Sequence, residues 1–256
     1  MSDWIRVIFM AVCVFCCTSV IAASKRKPSV PVIIVDPGHG GEDPGAIGQK
    51  RIREKDIVLS ISKRLADSLR RKLKAKVVLT RSRDKFITLD QRDVLANRNQ
   101  CDLFLSIHAN AAKSTKAEGI EIYYLNKATD LASRRLATRE NEWSGKARGE
   151  TEAIISDLTQ TAATEESTDL SGSIKKSLVK GLKKKYTIKD IRVKTALFYV
   201  LVGAKCPSLL IETGFVTHPA ESRRLRQAAF QKTMADAIAD GVYHYLETSE
   251  RPGADL

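Results

Sequence analysis

Aromatic residues are scarce in this 256-residue chain, with two Trp, six Tyr and seven Phe. Basic residues are not: 43 Lys and Arg against 30 Asp and Glu leave a formal charge of +13. That balance favours an anionic partner. No aromatics alternate with the cationic runs at 25–27, 70–76 and 183–185, so a stacking platform for bases is unsupported and nucleic acid is not expected as a partner. Cysteine is also rare. Cys13, Cys16 and Cys17 fall near the start, leaving Cys101 and Cys206. A disulfide between those two is one reading; two buried thiols at strand edges is the other, and the favoured one. Long apolar runs are missing. Val7 to Val20 is shorter than the ~20 residues of a span. With Arg6 before it and Ala22 and Ala23 after it, residues 1–23 read as a secretory signal, a membrane anchor being the alternative. Once the signal is removed, no transmembrane span is expected. There is no internal repeat and no HExxH helix.

What is present is an alternation of strand and helix signals. Apolar content of 43% is ample for one globular domain. Strands are predicted at 32–35, 76–80, 103–107, 120–124, 197–202 and 208–211, because short apolar runs there end in turn signals. Helices are predicted from Glu54, over Leu89–Asn99 with Thr88 and Gln91 as a capping box, and over Ala228–Leu246. The implied fold is α/β: an open, mixed, mostly parallel twisted sheet of about six strands flanked by helices. Residues 24–31 read as a short linker, 32–248 as the catalytic domain and 249–256 as a tail. A monomer is expected.

In such sheets, sites form beyond the carboxyl ends of strands. His39 lies in VDPGHGGEDPGAIG just past the first strand. His108 ends FLSIH, and Glu212 ends LLIE. Glu54, in REKD, starts the first helix. Two histidines and a carboxylate with an open fourth position make the usual catalytic zinc site. Gly38, Gly40, Gly41 and Gly45 allow backbone to approach a metal closely. Asp36 or backbone could fix a ligand's tautomer; Glu42 is a further candidate beside the metal, a solvent-facing loop carboxylate being its alternative, and Asn110 could orient the site, simple turn chemistry being its alternative. Solvated loop histidines remain the alternative. His218 reads as a helix-cap or loop residue and His244 as part of an aromatic helix face.

VDPGHGGEDPGAIG, REKDIVL, TRSRDKFITLDQRDVLAN, FLSIHAN and PSLLIETGF occur in that order. Together they resemble the zinc-dependent N-acetylmuramoyl-L-alanine amidases of bacterial cell walls, over about residues 32–246. The resemblance implies Zn²⁺ held by His39, Glu54 and His108, and Glu212 as the catalytic glutamate. It implies peptidoglycan as partner, cleaved between N-acetylmuramic acid and L-alanine, in wall remodelling and daughter-cell separation in the periplasm. It also makes Thr80, Arg81, Asp84, Leu89, Arg92, Ala96 and Asn97 a structural block whose arginines hold loops and helix ends.

Members that split dividing cells often carry a helix that covers the cleft until a protein activator removes it. Here 141–175 occupies that place, polar and rich in small residues, with a short apolar patch at 153–158. It is expected to be a flexible insertion with one amphipathic helix; Glu140 just before it and Glu142, Glu150 and Glu152 within it are candidates to cap the metal. Ser60–Lys63 and Ser173–Lys176 both spell Ser-x-x-Lys, the core of penicillin-sensitive acyl enzymes, without a convincing partner motif. The alternatives to the amidase are thus a catalytically idle wall-binding protein on the same fold and an added Ser-x-x-Lys carboxypeptidase activity.

Overall fold

The apolar runs Val32–Val35 and Leu103–Leu105 have no polar alternation, as strands covered on both faces require. In the computed structural model, which describes residues 30–144 and 162–249, they form the middle of a six-stranded sheet. The strands are β1 (Val32–Pro37), β2 (Lys76–Leu79), β3 (Leu103–Asn110), β4 (Ile120–Leu125), β5 (Ile191–Ala196) and β6 (Ser208–Phe215). Their order is β2-β1-β3-β6-β4-β5. β2, β1, β3 and β6 run parallel, β4 is antiparallel to β6, and β5 is parallel to β4. The expected mixed, mostly parallel sheet is thus observed. All eight residues of β3 and of β6 are buried.

Seven α-helices among the described residues cover the sheet: α1 (Glu54–Leu73), α2 (Leu89–Arg98), α3 (Leu131–Glu140), α4 (Ala162–Leu182), α5 (Tyr199–Val202), α6 (Pro219–Leu225) and α7 (Ala228–Thr248). Side chains alternate across each strand, which divides the core in two. Ile33, Val35, Leu105, Ile107, Leu209 and Ile211 pack beneath α1, α4 and α7. Ile34, Phe104, Tyr123 and Leu210 pack on the other face, against residues of α2, α3 and α5 such as Ala96, Leu136 and Leu201. The Thr88–Gln91 capping box forms as expected, and no described helix is long and apolar enough to cross a membrane.

Three expectations are corrected. The fifth strand is Ile191–Ala196, and Tyr199–Val202 is a one-turn helix. The apolar run LFYVLV packs on the sheet as a helix would, and periodicity cannot separate the two over so few residues. The polar stretch after Thr161 is no flexible surround: Ala162–Leu182 is a regular helix. Its Leu170, Ile174, Leu178 and Leu182 are fully buried. Small residues let it sit tightly on α7: a side chain at Gly241 would collide with Ile174, and one at Gly181 would come within 3.0 Å of Ala237. The 153–158 patch lies outside the described residues. Lastly, Cys101 and Cys206 form a disulfide with Cα atoms 5.9 Å apart. They precede β3 and β6, neighbours in parallel register with Phe104 opposite Ser208. Their starts therefore meet, although 105 residues separate them in sequence.

Candidate active site

His39 is carried by the loop after β1, and its own φ is 57°, a left-handed conformation unusual for a residue with a side chain. His108 is on β3 and Glu212 on β6, where they are partners in register. Glu54 opens α1. All four meet at the carboxyl edge of the parallel strands. Glu54 is pinned by two backbone amides: Ala109 N donates to Oε1 at 2.8 Å and Ala46 N to Oε2 at 2.9 Å. From there Oε1 lies 3.1 Å from His108 Nδ1 and Oε2 lies 3.2 Å from His39 Nε2. Two glycines make this possible. A Cβ on Gly38 would overlap the His108 ring. One on Gly45 would stand 2.6 Å from His39 and 2.8 Å from Glu54.

The carboxylate that orients His39 is Asp43, not Glu42. Asp43 Oδ2 meets His39 Nδ1 at 2.7 Å, and its Oδ1 accepts from Gly45 N. Glu42 is exposed. That the loop folds back from Gly40 to Asp43 decides between two adjacent acids. Asp36 is fully buried but binds Arg92, Thr80 and Ser106 instead of a histidine. The arginines do hold loops: Arg81 donates to the carbonyls of Pro37, Gly38 and Lys55, and Arg92 to those of Pro37 and His39. Asn110 joins β3 to β4 by donating to Glu121 at 3.0 Å.

Of the four glutamates offered by the sequence as metal caps, Glu140 is the one that reaches the cluster: the last residue of α3, it places Oε2 3.3 Å from both His39 Nε2 and His108 Nδ1. Arg139 grips its other oxygen at 3.0–3.1 Å and also donates to the Ala111 carbonyl. Asn141 fastens the helix end by donating to Leu197 O and accepting from Tyr199 N. Of the other candidates, Glu142 is exposed, and Glu150 and Glu152 lie outside the described residues.

Electrostatics mark the cluster as built for a charge it does not itself contain. His39 Nε2, Glu140 Oε2 and both oxygens of Glu212 are buried without a hydrogen-bond partner. Burial, reinforced by the Glu54 charge, raises the Glu212 pKa well above the carboxylate range. Burial alone would lower His39, but Glu54, Asp43 and Glu140 outweigh it and raise it well above its usual value. His39, Glu54 and His108 can present three ligand atoms within 4.8 Å of one another, and His108, Glu140 and Glu212 can do the same. Imidazole and carboxylate donors suit zinc, and buried orphan acceptors around a common point are what a cation would satisfy.

The remaining histidines and serines lie elsewhere. His218 caps α6, accepting from Glu221 N, and His244 is an exposed residue beside Tyr243 on α7. Ser60 donates to Gln231 at 2.7 Å and Ser173 to the Gly241 carbonyl at 2.8 Å. Both hydroxyls face α7, and neither lines the histidine pocket.

An open α/β sheet with two histidines and carboxylates converging at its strand ends has the donor set of a metal-dependent hydrolase. Residues 33–244 match the family described as N-acetylmuramoyl-L-alanine amidase. Among similar proteins, the amidase AmiA of Escherichia coli is 37% identical over 233 residues, covering 87% of this chain and 78% of that one. The amidase AmiC of Neisseria meningitidis is 38% identical, covering 88% of this chain and 55% of that one. The crystal structure of an N-acetylmuramoyl-L-alanine amidase from Clostridium difficile superposes with a TM-score of 0.65 at 32% identity, over 86% of this chain and 98% of that one. The chain belongs to the N-acetylmuramoyl-L-alanine amidase family.

Proposed function

We propose that the chain hydrolyses the amide between the lactyl group of N-acetylmuramic acid and the L-alanine of the peptidoglycan stem peptide, with zinc held by His39, Glu54 and His108 and with Glu212 as the catalytic residue. The observation that carries the residue assignment is the convergence of three metal donors with a buried carboxylate that has no other partner. Zinc bound there would supply Lewis acidity at the scissile carbonyl and bring the pKa of water from ~16 toward ~7. Asp43 holds His39 in the tautomer that leaves Nε2 free for the cluster. Glu212 takes the proton of the attacking water and returns it to the departing L-alanine amine, a task suited by its buried carboxylate, both oxygens of which have no hydrogen-bond partner. The Glu54 amide contacts keep its carboxylate from turning away while substrate enters.

Glu140 adds a layer of control. Its Oε2 fills the space between the two imidazoles that a water and the scissile carbonyl need, so we read the α3 end as self-blocking. A protein activator that draws α3 away, breaking the Arg139 and Asn141 contacts, would open the site. Residues 1–23 fit a secretory signal that delivers the enzyme to the periplasm, where it would act on the wall during daughter-cell separation.

The test is digestion of purified sacculi, with mass spectrometry of the soluble products, for the wild type, Glu212→Gln, Glu140→Ala and a zinc-chelated sample. Free stem peptides and peptide-free glycan strands are expected from the wild type, in larger amounts from Glu140→Ala, and not from the other two. Release by Glu212→Gln equal to wild type would remove its assigned role. A Glu140→Ala rate equal to wild type would remove the self-blocking one.

A further inference from the structure

The strongest feature outside the cleft is a stripe of exposed lysines that make no direct ion pair with a described residue, although Asp236 and Asp240 line the same groove as Lys180, Lys184 and Lys185. Lys175, Lys176, Lys180, Lys183, Lys184 and Lys185 are all exposed. The sequence from 170 to 189 contains no Asp, Glu or Arg. None of the six forms an ion pair with another described residue, whereas Lys55, Lys72, Lys189, Lys194 and Lys232 are each paired. Lys176 and Lys180 lie one turn apart on the outer side of α4 and Lys183, Lys184 and Lys185 follow in the turn after it, while Leu170, Ile174, Leu178 and Leu182 take its inner side. Like charges four apart on a helix repel. The helix dipole rewards cations in the last turn alone, so it does not account for Lys175 and Lys176 in mid-helix.

The chemistry of the stripe narrows the partner. Lysine is a compact, hydrated point charge, without the planar fork by which arginine grips one carboxylate. Apart from half-buried Tyr186, whose ring packs on Phe230 inside, residues 170–189 hold no aromatic to stack on a sugar or a base. Such a surface reads charge density and little else. Position narrows it further. α4 packs on the sheet face that carries Ile33, Val35, Leu209 and Ile211. His108 and Glu212 alternate onto the opposite face, in step with Phe104 and Leu210. A broad surface can therefore cover α4 and leave the cleft free.

We propose that the outer face of α4 and the lysine turn that follows it dock this protein on a bilayer surface rich in anionic phospholipid headgroups, with the cleft face turned away. Clusters of four to eight lysines carry enough attraction for this.

The experiment is sedimentation of the full chain with vesicles of phosphatidylcholine alone and with 30 mol% (about one in three) phosphatidylglycerol. The quadruple variant Lys176→Gln, Lys180→Gln, Lys184→Gln, Lys185→Gln and its Lys→Arg counterpart are run in parallel. Any apolar contribution from the start of the chain is common to all samples, so the readout is the difference between them. Wild type and the arginine variant should prefer anionic vesicles, with binding that falls as salt rises. The glutamine variant should lose roughly fivefold per lysine, several-hundred-fold for four. Equal binding by the glutamine variant, or no preference for anionic vesicles, overturns the proposal. So does a loss seen with sacculi and not with vesicles, which would make the wall polymer the occupant. Hydrolysis is not the readout, so the result stands apart from the amidase assignment.

Discussion

Reduction of the Cys101–Cys206 disulfide should cost this fold a large share of its stability. The bridge closes a loop of 105 residues. In the chain-entropy picture, freeing a loop of that size restores conformational entropy to the unfolded state, at a cost near 4.7 kcal/mol. The bridge is favourably placed to retain that effect, because the starts of β3 and β6 are already held by the Phe104 N to Pro207 O bond at 3.0 Å. For a domain of this size each kcal/mol moves the melting midpoint by about 2–4 °C, so the shift is roughly 10–20 °C. The assay is thermal unfolding followed by circular dichroism, with and without reductant, beside a Cys101→Ser/Cys206→Ser variant. Maleimide labelling of the two positions before and after reduction fixes the redox state. Coincident melting curves with and without reductant, where labelling proves that the bridge was oxidised at the outset, would refute the reasoning. The site lies at the opposite ends of β3 and β6, so reduction should leave activity at low temperature intact.

Three further perturbations bear on the site. Asp36→Asn removes the anion from a pair with Arg92, at 2.6 Å and with both side chains at most 3% exposed, and should cost about 3–5 kcal/mol in denaturant titration. Burial would raise the Asp36 pKa, but Arg92 and the Thr80 and Ser106 hydroxyls outweigh it and lower it. Its contribution is therefore fully present above the usual aspartate pKa near 4 and is lost as pH falls from there through the lowered Asp36 pKa; the wild type should lose more stability than Asp36→Asn as pH is taken down from about 4, and little difference in slope is expected above that. Asp43→Ala releases His39 Nδ1 and should weaken zinc binding roughly 10–100-fold, read by competition with a chromophoric chelator; an unchanged affinity would deny Asp43 its orienting role. Gly45→Ala should reduce zinc binding as well, because its Cβ would press on both His39 and Glu54 where φ is already +64°; the same competition assay decides it.

The sequence by itself determined five of the six strands and pointed to the four convergent groups. The apolar runs that lead into His39, His108 and Glu212 are buried strands, and polar residues at the ends of parallel strands meet at one edge, so those three were readable as neighbours; the run LFYVLV looked alike in sequence but folds as a helix. Glu54 was readable because the loop must return to a helix start beside them. Tertiary structure decided what depends on close fit. Asp43 rather than Glu42 faces His39 because the loop doubles back at Gly40. Glu140 enters the site because α3, itself weakly apolar, is anchored through Arg139 and Asn141 to segments distant in sequence. The helix α4 was hidden by its serines and glycines, which look like loop composition in one dimension but are the small surfaces that let it sit against α7. The pairing of Cys101 with Cys206 followed from the adjacency of β3 and β6, a fact of strand order that no local pattern contains, because parallel strands are joined by contacts far apart in the chain.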